Sequence, residues 1–299
     1  MPHGILLLDK PRGLSSNAAV QKVRRAFGRE KAGHTGSLDP LATGMLPICL
    51  GEATKVAGYL LEGDKEYLFT ARFGQRTATG DTEGEVVETA AVPDDLAGAL
   101  TAAIPKFLGP IKQVPPMYSA LKRDGQPLYR LARQGIEVER EARPVTIREL
   151  VLLGVGGDEA RLRVRCSKGT YVRTLAEDLA ASMGSCAHLT ALRRSAVAPF
   201  PPGQLVTLEQ VETAAATVPL LAPDAALPQL PVVELDRNLA TRVRQGQRVP
   251  AEGPTAGADG GLVRLYGPAE RFLGIGSLEQ GGTVLKPVRL FNDLGANPT

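Results

Sequence analysis

The segment best suited to chemistry is the stretch at residues 33–44, which reads GHTGSLDPLATG. It contains three glycines, one proline and a single carboxylate, Asp39. Glycine adopts backbone dihedrals that other residues avoid and proline fixes its own φ, so the segment predicts a tightly specified turn. Such a turn can hold one side chain at a fixed angle. Asp39 is therefore either a turn residue that bonds its own backbone or a nucleophile.

Short motifs elsewhere in the chain accompany this segment. They read LLDKP at residues 7–11, GLSSN at 13–17, KEY at 65–67, GQRT at 74–77, PPMYSA at 115–120, CSKGTYVRT at 166–174 and LRR at 192–194. In composition and order these motifs resemble those of the tRNA pseudouridine-55 synthases of the TruB-type family. The resemblance extends over residues 7–194 and is only loose towards the C-terminus.

The resemblance implies isomerisation of a T-arm uridine of tRNA to pseudouridine. The base would leave the ribose at N1, turn and rejoin it through C5, without redox change or hydrolysis. In agreement, the sequence contains no dinucleotide fingerprint, P-loop or metal-ligand cluster, so no metal or cofactor is expected. The expected partner is tRNA, bound by a monomer that needs no other protein.

The resemblance assigns catalysis to Asp39, Tyr67 and Arg173. Asp39 would form a transient covalent link to the substrate. The residues leave open whether it attacks ribose C1′, attacks the base or first removes a ribose proton. Arg173 would pair with this carboxylate, lower its pKa and fix its direction. Tyr67 would stack on the target uracil, and its hydroxyl would help to remove the C5 proton.

Five further residues are expected to contact the substrate. Lys10 would support the signature loop or contact phosphate, His34 would stack on an RNA base, and Leu192 would form part of an apolar wall. Tyr171 and Arg165 complete the set. Arg165 ends the run RLRVR, in which three arginines alternate with two apolar residues. Like charges on one strand face repel each other, which favours an anionic partner for this face.

Positive charge is concentrated in particular segments, although the formal net charge is only +3. Residues 10–31 contain seven basic residues and one acidic residue, and residues 106–143 contain eight basic and four acidic ones. Residues 77–103 contain six acidic residues and no basic one. A phosphate-binding face requires such local concentration of positive charge, although solvated helix faces would also produce it.

Hydrophobic periodicity places the candidate residues on regular elements. Residues 65–73 alternate, which predicts a strand with Tyr67 on its apolar face. Arg173 lies near the expected start of a helix whose buried stripe is Tyr171, Leu175 and Leu179. Residues 105–144 are basic and rich in proline, and they predict an insertion that leaves the main sheet, in the place of the mobile thumb of the resembled family.

Together with these patterns, the resemblance implies an α+β fold. Its catalytic domain, residues 1–225, would have a mixed, largely antiparallel sheet with the thumb inserted at about residues 105–144. Short apolar runs separated by glycine and proline follow, and they predict a small β-barrel over residues 231–299. By resemblance, this barrel is a PUA-like RNA-binding domain.

Composition limits where the protein can act. The three cysteines form no CxxC pair, which is typical of a reducing compartment, so a cytoplasmic location is expected. No apolar run has the length that a bilayer requires.

Three other functions would fit parts of the pattern. A non-catalytic RNA-binding protein would not need Asp39, Tyr67 and Arg173 together. A guide-RNA-dependent synthase would often carry a long lysine-rich tail, which is absent here. A glycoside hydrolase would usually bring two carboxylates to the scissile bond and would release free uracil.

Overall fold

The computed structural model describes residues 3–251 and 260–292. Residues 252–259 and 293–299 of the expected C-terminal domain lie outside this range. In the described part, the strands are β1 (Gly4–Lys10), β2 (Ala32–His34), β3 (Thr43–Leu50), β4 (Lys65–Phe73), β5 (Gln75–Thr77), β6 (Val86–Thr89), β7 (Gly109–Gln113), β8 (Lys122–Arg123), β9 (Gln126–Pro127), β10 (Arg143–Gly156), β11 (Glu159–Cys166), β12 (Ala187–Val197), β13 (Val206–Thr207), β14 (Val232–Glu234), β15 (Val249–Pro250), β16 (Leu262–Gly267), β17 (Arg271–Glu279) and β18 (Val284–Leu290).

The helices connect these strands and lie outside the sheets. The α-helices are α1 (Ser16–Ala26), α2 (Ala57–Glu62), α3 (Leu96–Ala103), α4 (Leu128–Arg133), α5 (Val172–Ala181), α6 (Leu208–Ala214) and α7 (Arg237–Arg244). Short 3₁₀ helices lie at Gly51–Val56, Ile104–Phe107 and Pro223–Ala226.

The main sheet has nine strands in the order β13-β1-β3-β12-β4-β11-β10-β7, with β2 paired to β3. Only the β1–β13 and β3–β12 contacts are parallel, so the prediction of a mixed, largely antiparallel sheet is confirmed. Strand β12 lies between β3 and β4, and this position brings three distant parts of the chain together. In its register, Arg194 is opposite Gly44 on one side and opposite Tyr67 on the other.

Strand β4 follows the predicted alternation. Tyr67, Phe69 and Phe73 are buried on one face, whereas Leu68 is exposed on the other. The buried face contributes to the core that also contains Leu175 of α5. Burial of this aromatic row fixes which residues of β4 can face the helices, because a shift by one residue would reverse the two faces.

Helix α1 is tied directly to the signature loop. Ser15 is its N-cap and accepts a hydrogen bond from the backbone N–H of Ala18. The next residue, Ser16, is buried; its hydroxyl donates to the carbonyl of Leu38 at 3.0 Å and accepts from the N–H of Leu38 at 2.7 Å. The residue before Asp39 is thus held by two bonds to a helix start.

The insertion that leaves the sheet is shorter than residues 105–144. Residues 109–113 form β7, which pairs with the beginning of β10 from Arg143 onwards. The backbone hydrogen bonds of this ladder keep both ends of the predicted insertion within the main sheet. The segment between them carries the small β8–β9 hairpin and α4.

The C-terminal sheet has five strands in the order β14-β16-β17-β18-β15 and forms a curled half-barrel. It packs against the main sheet through a shared apolar cluster. Phe272, Ile275 and Phe291 from the half-barrel side lie in one cluster with Ile5 and Leu60. The two sheets therefore bury part of their apolar surface against each other.

No helix of the described residues is both long enough and apolar enough to span a bilayer.

The contact of β3 with β12 depends on a glycine. Gly44 has φ +96°, and a Cβ atom there would lie 2.3 Å from the carbonyl oxygen of Arg194. We expect Gly44→Ala to reduce the free energy of unfolding by at least about 2 kcal/mol, because both the backbone strain and the clash oppose the native contact.

The matched control is Gly33→Ala in the neighbouring strand β2, where an added Cβ would meet nothing within 4 Å. This variant is expected to change the free energy of unfolding by less than about 1 kcal/mol. Urea denaturation of both variants measures the difference, and equal unfolding midpoints would contradict the role given to Gly44.

Candidate active site

A cavity of about 620 Å³ opens beside the signature loop. Its wall is formed by residues 36–39, the end of α2, the start of β4, residues 119–121 of the insertion, residues 167–173 and two residues of β12. Six of the eight predicted site residues line it: Asp39, Tyr67, Arg173, His34, Leu192 and Tyr171. They come from four separate parts of the chain, and the order of strands in the main sheet brings them together.

Asp39 and Arg173 form an ion pair at the cavity wall. The distance from Oδ2 of Asp39 to Nη2 of Arg173 is 2.9 Å, and their side chains are 39% and 5% exposed, respectively. The guanidinium lies behind the carboxylate, which keeps one side open to the cavity. Arg173 also donates to the carbonyls of Thr79 and Tyr118, both at 2.7 Å. The predicted pairing of Asp39 with Arg173 is thus present in the structure.

The position of Arg173 is unusual for a cation. It is the second residue of α5, where the helix dipole disfavours positive charge. The Asp39 carboxylate and the two carbonyls offset this cost, because each accepts a hydrogen bond from the guanidinium. Arg173 is therefore held by the site and not by its own helix.

The pKa of Asp39 results from two opposing effects. Burial at the cavity wall raises the pKa of this carboxyl above its ordinary value, and the Arg173 guanidinium opposes the rise. The opposing contribution of the arginine was predicted from the sequence, but burial outweighs it, so the expected lowering of the Asp39 pKa is wrong in its net direction. The balance leaves a carboxylate that is ionised less readily than a solvated aspartate.

Lys10 supports the signature loop through hydrogen bonds to backbone carbonyls. Its side chain is fully buried, and Nζ donates to the carbonyls of Pro11 at 2.9 Å, Leu14 at 2.7 Å and Pro40 at 3.5 Å. Burial lowers the pKa of Lys10 to about 8. Of the two roles predicted for Lys10, this geometry favours support of the loop, because an ammonium surrounded by carbonyls is not accessible to phosphate.

Tyr67, Leu192 and His34 form the less polar part of the wall. Tyr67 and Leu192 are buried on the same face of the sheet, in register with Arg194 and Phe69 respectively. Burial raises the pKa of Tyr67 and lowers that of His34, so both side chains favour their neutral forms. The Nδ1 atom of His34 is buried without a hydrogen-bond partner among the described residues.

Tyr171 lies just before α5 and not within its buried stripe. Gln113 holds its backbone in both directions: Oε1 accepts from the Tyr171 N–H at 3.0 Å, and Nε2 donates to the Tyr171 carbonyl at 3.3 Å. The Tyr171 side chain is only half-buried and lines the cavity, as Ser119 does. Because α5 begins at Val172, the stripe of the helix excludes Tyr171.

Arg165 is separated from the other predicted residues. It is exposed on β11 and does not line the cavity. The arginine row on this strand is also partly neutralised, since Arg163 donates to Glu149 of β10 at 2.9 Å. A phosphate contact by Arg165 stays a prediction.

Two buried cations at the cavity were not assigned a role from the sequence. Lys65 donates to three carbonyls at the end of α2, those of Leu60, Leu61 and Gly63, and burial lowers its pKa to about 8. Arg194 donates to the carbonyls of Met45 and Gly36. Both residues lie within quoted motifs, but nothing in their local spacing distinguishes a buried cation from a surface one.

Comparison with solved structures first identifies the type of fold. A chain of the crystal structure of a Cbf5-Nop10-Gar1 complex superposes with a TM-score of 0.74 at 24% identity, covering 97% of this chain and 85% of that chain. At this identity the likeness concerns the fold alone. The described residues share that chain's fold, with a mixed main sheet and a C-terminal β-domain.

Sequence comparison then identifies the family. Residues 24–172 match the family described as TruB family pseudouridylate synthase (N terminal domain), residues 173–225 match the tRNA pseudouridylate synthase B C-terminal domain, and residues 231–291 match Pseudouridine synthase II TruB, C-terminal. Proteins named tRNA pseudouridine synthase B are 51% identical in Aeromonas salmonicida and 55% identical in Aromatoleum aromaticum, each over 96% of this chain and 93% and 92% of their own lengths. The chain belongs to the TruB family of pseudouridylate synthases.

The charge balance at Asp39 can be measured directly. We expect the Asp39 carboxyl to titrate above the value of about 3.9 for a free aspartate, and its pKa to rise further in Arg173→Gln, because that change removes the opposing cation. The ionised form would then be lost earlier as the pH falls. Carboxyl ¹³C NMR titration measures both values.

The control for this titration is Arg163→Gln, which removes a guanidinium that pairs with Glu149 away from the cavity. It should leave the Asp39 titration unchanged. An Asp39 pKa that does not respond to Arg173→Gln would contradict the electrostatic role of the ion pair.

Proposed function

We propose that this protein converts the T-arm uridine at position 55 of tRNA to pseudouridine, with Asp39 as the nucleophilic or basic carboxylate. The observation that carries the proposal is the ion pair: a buried guanidinium holds Asp39 with one side open to a cavity lined by Tyr67 and Leu192. The relatives named tRNA pseudouridine synthase B supply the substrate class, because their identity to this chain extends over nearly its whole length.

The reaction rearranges bonds without a net change in composition. The N1–C1′ bond of the nucleotide breaks, the uracil turns while it remains in the cavity, and a C5–C1′ bond forms. The proton then leaves C5, and N1 ends with a proton in place of its bond to the sugar. Asp39 serves this sequence by attacking C1′, by attacking the base or by removing a ribose proton first, and all three routes require its ionised form.

Tyr67 and Leu192 restrict how the detached base can move. A flat, apolar wall allows the uracil to rotate in its plane but offers it no alternative hydrogen bonds. The phenol of Tyr67 is buried beside the Asp39 loop, within the same cavity, where it can assist removal of the C5 proton. Tyr67 and Leu192 are buried, so a base packed against them excludes water from that side of a covalent intermediate.

The size of the cavity suits one extruded nucleotide. At about 620 Å³ it falls in the range of small-ligand sites, and it is far too small for a stacked helix. A uridine in a folded T-arm must therefore leave its stack, which costs a few kcal/mol. His34 and Tyr171, both at the cavity wall, provide ring faces for neighbouring bases and offset part of this cost.

The remaining assignments follow from this function. Lys10 acts as support for the loop, and Arg165 contacts phosphate at a distance from the cavity. Residues 1–225 form the catalytic domain and residues 231–299 a PUA-like domain that binds RNA. The enzyme acts as a cytoplasmic monomer on tRNA, without an obligate protein partner, metal or cofactor.

Replacement of the carboxylate tests the proposal. Asp39→Asn is expected to abolish pseudouridine formation, at least about 10⁴-fold, because the amide cannot act as a nucleophile or base. Its affinity for tRNA should stay within a few-fold of wild type. The measurement is incubation with an unmodified tRNA transcript, followed by chemical mapping of pseudouridine along the T-arm.

The control is Asp158→Asn, an exposed aspartate that pairs with Arg72 away from the cavity. It should retain full activity. Turnover by Asp39→Asn close to that of this control would refute the assignment of Asp39. Release of free uracil by the wild-type enzyme would instead indicate a glycoside hydrolase.

Salt dependence tests the phosphate contacts. Binding of tRNA should weaken steeply with salt, and Arg165→Ala should lower the slope of log Kd against log salt by about one if Arg165 contacts a phosphate. Arg148→Ala provides the control, because that guanidinium already pairs with Asp64. Equal slopes for the two variants would remove Arg165 from the RNA-binding surface.

A further inference from the structure

Arg194 is the largest fully buried side chain of the described residues, with 1% of its surface exposed. Its Nε donates to the carbonyl of Met45 at 2.8 Å, and Nη2 donates to the carbonyl of Gly36 at 3.0 Å. Within the described chain no carboxylate forms an ion pair with it. A buried guanidinium that is held by carbonyls alone is costly, so a role beyond packing is expected of it.

The partners of Arg194 lie on three different elements of the active site. Gly36 belongs to the signature loop that carries Asp39, and Met45 lies on β3. The third is Tyr67 on β4, which lies directly opposite Arg194 in the register of the sheet and is buried on the same face. Arg194 therefore links the Asp39 loop to β3 by hydrogen bonds and lies beside Tyr67 on the neighbouring strand.

We propose that Arg194 is a positioning residue, whose planar guanidinium fixes the Tyr67 phenol relative to the Asp39 loop. This inference rests on the proposed function, since its consequence is the placement of the uracil between Tyr67 and Asp39. The fork of donors in one rigid plane sets two directions at once, which a lysine ammonium cannot do.

The charge of Arg194 supports the same role. Burial raises the pKa of Tyr67, and the guanidinium beside the phenol opposes that rise. Arg194 thus stabilises negative charge on the phenol oxygen whenever that oxygen gives up or shares its proton. A residue that only filled space would have no effect on the charge of Tyr67.

The adjacent arginine provides a matched control. Arg193 lies on the same strand, but its side chain is 43% exposed and makes two hydrogen bonds to Asp9, at 3.0 and 2.9 Å. Replacing either arginine by lysine retains the charge and removes the fork. The two variants therefore differ in location and not in chemistry.

The experiment compares Arg194→Lys with Arg193→Lys in single-turnover reactions on tRNA. Arg194→Lys is expected to bind tRNA within about three-fold of wild type and to form pseudouridine at least about 30-fold more slowly, whereas Arg193→Lys stays within about three-fold in both. Circular dichroism and thermal unfolding establish that each variant is folded. If Arg194→Lys does not fold, Arg194→Gln, which keeps a planar donor, takes its place.

Two readouts separate positioning from general loosening. In a Tyr67→Phe background, Arg194→Lys should cause a much smaller further loss of rate, because the phenol it positions is already gone. The ¹³Cζ resonance of Tyr67 should move in Arg194→Lys and not in Arg193→Lys. Rate losses that multiply fully in the double variant, or an unchanged Tyr67 resonance, would overturn the proposal.

Failure of the proposed function would look different. A wild-type protein that forms no pseudouridine on any tRNA transcript would refute that function. The Tyr67 resonance would still report whether Arg194 holds the phenol, because the NMR measurement does not require turnover.

Discussion

The site depends on the ion pair between Arg173 and Asp39. A carboxylate that reacts with a nucleotide must be desolvated, yet desolvation favours its protonated, unreactive form. Arg173 counters this by placing a permanent charge 2.9 Å from Oδ2 of Asp39. The guanidinium is in turn held by the carbonyls of Thr79 and Tyr118, so the geometry of the pair depends on the loop after β5 and on the inserted segment. Order in either segment therefore affects the reactive carboxylate.

Among the described residues, the other buried cations around the cavity are bound by backbone carbonyls and not by a carboxylate. Lys10, Lys65 and Arg194 are buried and donate to backbone carbonyls, where the Asp39 loop and the end of α2 would otherwise have unpaired acceptors. Carbonyls satisfy a buried cation less completely than a carboxylate does, which is why burial lowers the pKa of both lysines to about 8. In this arrangement backbone carbonyls hold the positive charge that supports the loops.

Features of the site that depend on neighbouring residues in the sequence could be predicted, whereas features that depend on tertiary assembly could not. Tyr67 was placed correctly because alternation on β4 is a local property, and Arg173 was placed at a helix start because the breakers before it are local too. The burial of Lys10 and Arg194 could not be read in this way, since it arises when β1, β3 and β12 assemble. For the same reason, the sequence could not show that burial would outweigh Arg173 in setting the pKa of Asp39, because the extent of that burial arises only when the elements assemble.

The boundaries of the sheets were also predicted only in part. Proline and charge marked residues 105–144 as unlike the rest of the domain, yet β7 and the start of β10 still pair within the main sheet. Composition describes side chains, whereas sheet membership depends on backbone hydrogen bonds that prolines at a sheet edge leave largely intact. The C-terminal half-barrel was predicted because short apolar runs between glycines are a local signal, but its shared core with β1 and α2 was not.

The net charge of the protein does not indicate which of its basic residues are available to bind RNA phosphates. Four of its basic residues near the cavity, Lys10, Lys65, Arg173 and Arg194, are buried and already bonded within the protein, so they are not free to neutralise phosphates. Others are paired at the surface, as Arg163 is with Glu149. The charge available to a polyanion is therefore a smaller and differently placed set than the sequence total. Affinity for the RNA backbone must come from exposed residues outside the cavity, while the buried cations shape the chemistry within it.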